Sequence, residues 1–227
     1  MLRIVDELAG PGPLRVCAHA PADGDPGTAL RVLLIADVLA RVVELRGRAV
    51  LVGRTGPVWP TAAADIRPAD AEGGLDEVTE GLGGPPDVHL TSGTYEGVNT
   101  ACLRIGEADL PPLDDLDPLA LRLLLLRRPY EEPVTATAEE IGDAARTLGR
   151  WRRAVATWAG QPSKPIPAEL KSTARAALDS RLDTAAVLHL LEDLETAPEV
   201  PEGAKFETFA HLDRVLSLEL VREVGTV

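Results

Sequence analysis

The most constraining feature of the chain is one stretch near its start, RVCAHAPADGDPGTALRVLLIADVLARVVELRG at residues 15–47. A short apolar run leads into a turn rich in Gly, Pro and Asp, and then into apolar residues with a helical period. Asp25 and Pro26 make a favourable helix start, with an acceptor side chain before a proline. The stretch therefore predicts a strand, a turn and a long helix ending at Gly47, which is how a nucleotide-binding βα unit begins.

The segments that follow extend this unit into a parallel sheet. AVLVG at residues 49–53 is a β-branched run bounded by glycine, and it predicts a second parallel strand. DVHLTSG at residues 87–93 predicts a further strand. We interpret residues 57–86 as connecting structure with one short helix at about residues 75–81, and residues 94–116 as loop-rich.

From residue 117 the sequence becomes helical, with proline or glycine in nearly every gap. Aromatic residues make up only 3% of the chain, so the core consists of Leu, Val and Ala, which favours helices over a β-sandwich. We predict an α/β fold: a Rossmann-like parallel-sheet domain at residues 1–116, followed by a helical bundle domain at residues 117–227.

Charge and cysteine content narrow the function classes. Residues 61–118 carry 13 acidic and two basic side chains, and the formal net charge of the chain is −13. Nucleic-acid binders neutralise phosphates with Lys and Arg, so this balance argues against them. Cys17 and Cys102 form no CxxC motif and indicate no disulfide framework. The sequence contains no apolar run of membrane-spanning length, and we expect a cytoplasmic protein.

Several segments, in order, resemble the cysteinyl-tRNA synthetase family, which includes the cysteine ligase of mycothiol biosynthesis. They are VCAHAPADGDPGTALR with ADVLARVVELRG, then DPLALRLLLLRRPYEEPVTATAEEIGDAARTLGR, ALDSRLDTAAVLHLLEDL and LDRVLSLEL. The resemblance covers residues 16–53 and about 95–220. It implies a HUP-type Rossmann-like domain that activates an amino acid with ATP, followed by a helical bundle.

The resemblance also predicts that the family's zinc site is lost. Cys17 falls on the first zinc-binding cysteine, but the segment that holds the partner Cys, His and Glu ligands is absent. A zinc site needs about four ligands, or three with an open position. His19 and His89 are unpromising substitutes, because a lone histidine is usually a surface or core residue and not a ligand. We therefore expect Cys17 to be a lone remnant ligand and the protein to contain no zinc.

Both ATP signatures of the family are replaced as well. Pro26-Gly27-Thr28-Ala29 stands in place of the first, whose histidines meet the phosphates at the helix start. Asp23 and Asp25 would repel a triphosphate there. The second signature falls on residues 100–106, where its second lysine is Leu103. The resemblance places a nucleotide pocket around Ala18, Asp23, Asp25, Pro26, Gly27, Thr28, Cys102 and Arg104.

These losses together predict a degenerate paralogue: a binding, regulatory or scaffold protein without cysteine activation, and not an enzyme. The alternative is an ATP-dependent aminoacyl ligase or adenylating enzyme with a rebuilt, zinc-free site. That enzyme would use ATP with Mg²⁺ and the cations Arg31 and Arg104. Loss of the inserted domain exposes a sheet edge, so we expect a protein partner or a homodimer, and no membrane association.

A second alternative is a tRNA-binding accessory protein. Arg150, Arg152 and Arg153 lie beside Trp151 and Trp158 in GRWRRAVATW, which makes a local basic and aromatic patch. We favour the simpler interpretation, in which the arginines form an exposed helix face and the tryptophans pack on the sheet domain. Binding of tRNA is therefore not expected.

Overall fold

The computed structural model describes residues 12–21, 26–57, 64–95, 101–112 and 116–226. The chain divides into two compact units. The first comprises Met1–Leu113 together with Tyr130–Thr137, and the second comprises the remaining residues, 114–129 and 138–227. The segment after residue 129 therefore returns to the first unit before the long helices begin.

The first unit contains an all-parallel sheet. Among the described residues its strands are β1 (Leu14–His19), β2 (Val50–Thr55), β3 (Ala71–Glu72), β4 (Val88–Thr91) and β5 (Ala101–Arg104). They lie side by side in the order β3-β2-β1-β4-β5. The chain order reverses between β1 and β4, which is a topological switch point, and ligands of open α/β sheets bind beside such a point.

Two helices cover opposite faces of this sheet. Helix α1 (Pro26–Leu45) has 16 of its 20 residues buried, as expected for a core helix that is apolar nearly all round. It packs on the face that carries Val52, with which its Leu33 shares a cavity wall. Helix α2 (Leu75–Gly81) packs on the other face, where a Cβ added to Gly53 would lie 2.3 Å from Val78 Cγ1. The predicted α/β class with a Rossmann-like sheet and a helical region is confirmed.

The segment interpreted as loop-rich, residues 94–116, contains more regular structure than the sequence indicated. Strand β5 pairs with β4, and β6 (Ala108–Asp109) pairs in parallel with β7 (Val134–Thr135) in a separate two-stranded sheet. The loop-rich interpretation was wrong here because β5 is an edge strand. Only Leu103 of its four residues is buried, so the strand carries little apolar signal.

The second unit is helical in its described residues. Its helices are α3 (Pro118–Leu126), α4 (Ala138–Trp158), α5 (Ala168–Arg181), α6 (Thr184–Thr196) and α7 (Glu202–Leu216). The Asp117 side chain accepts hydrogen bonds from the backbone N–H groups of Leu119 and Ala120, and Pro118 occupies the first helical position. This cap explains why α3 begins where the DPLALR pattern predicts.

The core of the second unit contains the tryptophans of α4. Trp151 is fully buried and Trp158 is 7% exposed, and both rings make edge-on contacts with Phe209 of α7. Asp213 of α7 accepts hydrogen bonds from the backbone N–H groups of Leu218 and Leu220, which holds the chain beyond the helix. Within the described ranges, no helix is both long enough and apolar enough to cross a bilayer.

Candidate functional site

The first turn of α1, where the resemblance predicts a phosphate site, packs closely against other parts of the first unit. Gly27 is buried and Thr28 is 2% exposed. A Cβ added to Gly27 would lie 2.2 Å from the carbonyl oxygen of Ala108 in β6. The Ala108 N–H donates a 2.9 Å hydrogen bond to Thr28 Oγ1. Backbone of the 106–110 segment therefore packs closely against the side of this helical turn at Gly27 and Thr28.

Arg31 lies one helical turn further along α1 and is fully buried. Its Nη1 donates to the carbonyl oxygens of Gly106, Glu107 and Glu132, at 3.1, 3.2 and 2.5 Å. Burial lowers the pKa of Arg31 to about 10, against the opposing effect of Glu132, so the guanidinium remains charged at neutral pH. The cation serves to join α1 to two backbone segments of the same unit.

Gly106, at the end of the second ATP signature, also packs closely against backbone of the first unit. Gly106 donates its N–H to the Tyr130 carbonyl, at 2.8 Å. A Cβ at Gly106 would lie 2.2 Å from the carbonyl oxygen of Glu132, so only glycine allows this approach of two backbones. Leu103, at the position of the family's lysine, is 4% exposed and belongs to the core.

The residues of the predicted nucleotide pocket lie on different sides of the sheet. Ala18 is fully buried and alternates with Cys17 along β1, so it points to the face that α1 covers. Thr91 of β4 pairs with His19 of β1 on one side and with Arg104 of β5 on the other. The Arg104 side chain therefore points to the same face as His19, which is the face opposite α1. Cys102 points to that face too, and both Cys102 and Arg104 are exposed.

Cys102 and Arg104 line an open cleft of about 360 Å³ together with Tyr130 and Glu131. The exposed Pro26 begins α1. Asp23 and Asp25 lie outside the described residues, as does Thr100. The pocket as a whole therefore stays a prediction.

A second cavity, of about 140 Å³, lies between α1 and β2 and has charged walls. Asp37 is 4% exposed and accepts from Arg41 Nε at 2.8 Å and from Arg67 Nε at 3.0 Å. Arg67 also donates to Glu44, at 2.7 Å. These charges neutralise one another, so the cavity offers no unpaired group to a ligand.

The switch point carries a cluster of side chains that sequence reasoning did not combine. Cys17 is directly opposite His89 in the β1–β4 ladder, and His19 lies two residues beyond Cys17 on the same face. One ligand atom of each residue lies within 4.8 Å of the other two. Cys17 is fully buried, His89 is 2% exposed and His19 is half-buried.

The two imidazoles form the centre of a chain of hydrogen bonds. His19 Nε2 lies 2.8 Å from His89 Nδ1. The outer nitrogens contact hydroxyl groups: His19 Nδ1 lies 2.8 Å from Thr55 Oγ1, and His89 Nε2 lies 3.0 Å from the Tyr95 hydroxyl. The two imidazole planes differ by only 10° with centroids 5.1 Å apart, so the rings meet edge to edge.

Burial sets the protonation of this cluster. Desolvation lowers the pKa of His89 to about 4, aided by repulsion from His19, and it also lowers the pKa of His19. Both rings are therefore neutral at neutral pH, which is the form that ligates metals. Burial raises the pKa of Cys17 to about 12, so the thiol keeps its proton until a metal displaces it.

The basic patch on α4 does not offer aromatic rings to a nucleic acid. Trp151 Nε1 donates to Glu195, which also accepts from Arg150. Arg152 is 8% exposed and donates to the carbonyls of Leu218 and Glu219. The predicted exposed arginine face was therefore wrong for Arg152. The tryptophans pack on Phe209 of the helical unit, which differs from the sheet packing expected from sequence.

Comparison with known proteins gives a partial similarity. No protein-family model matches the chain. Over 107 residues the chain is 32% identical to a Streptomyces scabiei protein named L-cysteine:1D-myo-inositol 2-amino-2-deoxy-alpha-D-glucopyranoside ligase. The match covers 47% of this chain and 26% of the ligase. The chain thus spans about a quarter of the length of that relative, and the similarity to a cysteine ligase holds for about half of the chain.

Proposed function

We propose that this chain is a cysteine-ligase-like protein that no longer activates cysteine and that acts by binding, as a regulatory or scaffold protein. The observation that carries the proposal is the burial of Gly27 and Thr28 beneath β6. A helix start binds phosphate through N–H groups that face the ligand. Because backbone from Ala108 packs against this turn at Gly27, we expect the turn to have little room for a triphosphate.

The placement of positive charge supports the same proposal. Transfer of phosphate or adenylate requires cations that stabilise charge on the reacting oxygens. The Arg31 guanidinium donates hydrogen bonds to backbone carbonyls inside the first unit, and Leu103 is the residue at the position of the family's lysine. Neither residue presents charge to a nucleotide.

The ligase alternative rests on Arg104. This residue is exposed and lines the open cleft with Cys102 and Tyr130, where a small substrate has access. An adenylating enzyme with a rebuilt, zinc-free site would place ATP and Mg²⁺ there, on the sheet face opposite α1. Amino-acid-dependent exchange of pyrophosphate into ATP distinguishes this alternative from the first proposal.

Exchange of pyrophosphate into ATP, measured with Mg²⁺ and each of the twenty amino acids, tests the proposal. We expect no amino-acid-dependent exchange, while the Streptomyces scabiei ligase with L-cysteine serves as the positive control. Exchange that requires one amino acid, falls in Arg104→Gln and persists in Arg146→Gln would establish the ligase alternative. Arg146 is a suitable control because it is exposed on α4.

A binding role requires a partner, and the proposal includes a protein partner or a second copy of the chain. Strand β5 lies at the edge of the sheet with Cys102 and Arg104 exposed. Edge strands are common sites of association. Light scattering over a range of concentrations tests self-association, and a monomer at every concentration would leave only a different protein as the partner.

We propose no role in binding tRNA. Trp151 and Trp158 are buried in the helical unit and cannot stack on bases, and Arg150 is paired with Glu195. Binding of a mixed tRNA pool at low salt should be no tighter than that of a random RNA. Salt-sensitive binding that prefers tRNA would contradict this.

A further inference from the structure

We infer that Cys17, His19 and His89 form a binding site for a zinc-class divalent metal ion on the sheet face opposite α1. This inference is independent of the proposed function, since a protein without cysteine activation can hold a metal. It replaces the expectation of a zinc-free protein, which counted Cys17 as the lone ligand.

The positions of the three ligands follow from the sheet itself. Cys17 and His89 are paired residues of adjacent parallel strands, and His19 is two residues along β1. Their ligand atoms already converge within 4.8 Å of one another. Zn–N bonds of about 2.0–2.1 Å in a tetrahedron place two nitrogens about 3.3 Å apart. The His19 and His89 nitrogens, now 2.8 Å apart, would separate by about half an ångström.

The hydroxyl groups around the imidazoles suit a metal-bound state. When the inner nitrogens of His19 and His89 ligate a metal, each outer nitrogen carries a proton that needs an acceptor. Thr55 Oγ1 and the Tyr95 hydroxyl lie at hydrogen-bond distance from those outer nitrogens. As the metal enters, the proton now shared between the two rings moves to the outer nitrogen that lacks one, so each neutral imidazole keeps one proton, and only the Cys17 thiol proton leaves.

The surroundings of the cluster favour a buried, ordered site. Cys17 packs against Val78 and Leu82, which form an apolar wall. The Tyr95 ring lies over His89, with centroids 4.1 Å apart. An apolar wall lowers the local dielectric and strengthens the attraction between a thiolate and a divalent cation. His19 is only half-buried and leaves a route for the ion to enter.

The donor set indicates the class of metal. One thiolate and two imidazoles suit zinc and related borderline ions, whereas magnesium and calcium prefer oxygen ligands. Three protein ligands leave the fourth tetrahedral position to water or a small ligand. The cluster lies at the β1–β4 switch point, and His19 is the last residue of β1. Open α/β sheets bind ligands beside such a point, at the carboxyl ends of their strands.

Cobalt(II) is the probe for this site, because a thiolate ligand gives it a near-ultraviolet charge-transfer band and tetrahedral coordination gives it visible bands. Chelator-treated full-length protein titrated with Co²⁺ should develop both sets of bands at one ion per chain, and Zn²⁺ should abolish them. Cys17→Ser should lose the charge-transfer band, and His89→Gln should lose the visible bands or bind Co²⁺ at least tenfold more weakly.

Cys102→Ser provides a matched control, since it removes the other thiol, which lies opposite His89 on β5. This variant should keep the wild-type spectrum. If Cys17→Ser fails to fold, as judged by circular dichroism, the half-exposed His19→Asn variant takes its place, and it should lose the visible bands or bind Co²⁺ at least tenfold more weakly, as expected for His89→Gln. Wild-type protein without a thiolate band, or a band lost in Cys102→Ser and kept in Cys17→Ser, would overturn the inference.

Discussion

The two faces of the sheet of the first unit differ in the groups that they carry. On the α1 side, backbone from β6 packs against the turn that begins the helix, and the cation Arg31 is bonded to carbonyls. On the opposite side, Cys17, His19 and His89 keep their ligand atoms close together. The first face thus has closely packed backbone where the second has a cluster of ligating side chains.

The physical reason for the difference is the kind of group that each site needs. A phosphate site at a helix start depends on empty space before the N–H groups, and one inserted segment removes it. A ligand cluster on a sheet depends on side chains fixed by register, and the register is held by the ladder hydrogen bonds of β1 and β4. Each face can be tested separately.

The largest effect is expected from Arg31→Met. The substitution keeps most of the volume but leaves the carbonyls of Gly106, Glu107 and Glu132 without this donor in a buried position. We expect the free energy of unfolding to fall by about 3–4 kcal/mol. Urea unfolding followed by circular dichroism measures it. The exposed Arg46→Met is the control, with a change within about 0.5 kcal/mol.

A smaller loss is expected from Gly27→Ala. The new methyl group would meet the Ala108 carbonyl oxygen at 2.2 Å, so α1 and β6 must move apart, at a cost of about 2 kcal/mol. Gly142→Ala in α4 is the matched control, because the nearest atom there is Arg146 Nη1 at 3.6 Å. The control should gain about 0.5–1 kcal/mol from helix propensity. Equal effects of the two substitutions on thermal unfolding would show that the turn of α1 is open.

On the opposite face, Tyr95→Phe should weaken Zn²⁺ binding about tenfold, or about 1.4 kcal/mol, without changing the Co²⁺ charge-transfer band. The variant removes the acceptor for His89 Nε2 but no ligand. Competition between Zn²⁺ and a chromophoric chelator gives the affinity. Tyr130→Phe, which removes a hydroxyl bonded to Glu131, should leave the affinity unchanged. An unchanged affinity in Tyr95→Phe would remove Tyr95 from the site.

The sequence predicted what depends on local patterns. Pro26 and the helical period beyond it predicted α1, and the alternation from Cys17 to His19 could have shown that both point to one face. The contact between His19 and His89 joins residues 70 positions apart, and no local pattern reveals that register. The cover over Gly27 comes from β6, a two-residue strand with almost no sequence signal.

Whether the start of α1 binds phosphate is tested by calorimetric titration of the protein with ATP and Mg²⁺ and, separately, with adenosine. We expect ATP to bind no more tightly than adenosine, because Gly27 and Thr28 are buried and Arg31 is bonded to carbonyls. Magnesium-dependent binding of ATP that is at least tenfold tighter than that of adenosine would show that the protein has a working phosphate site and would support the ligase alternative.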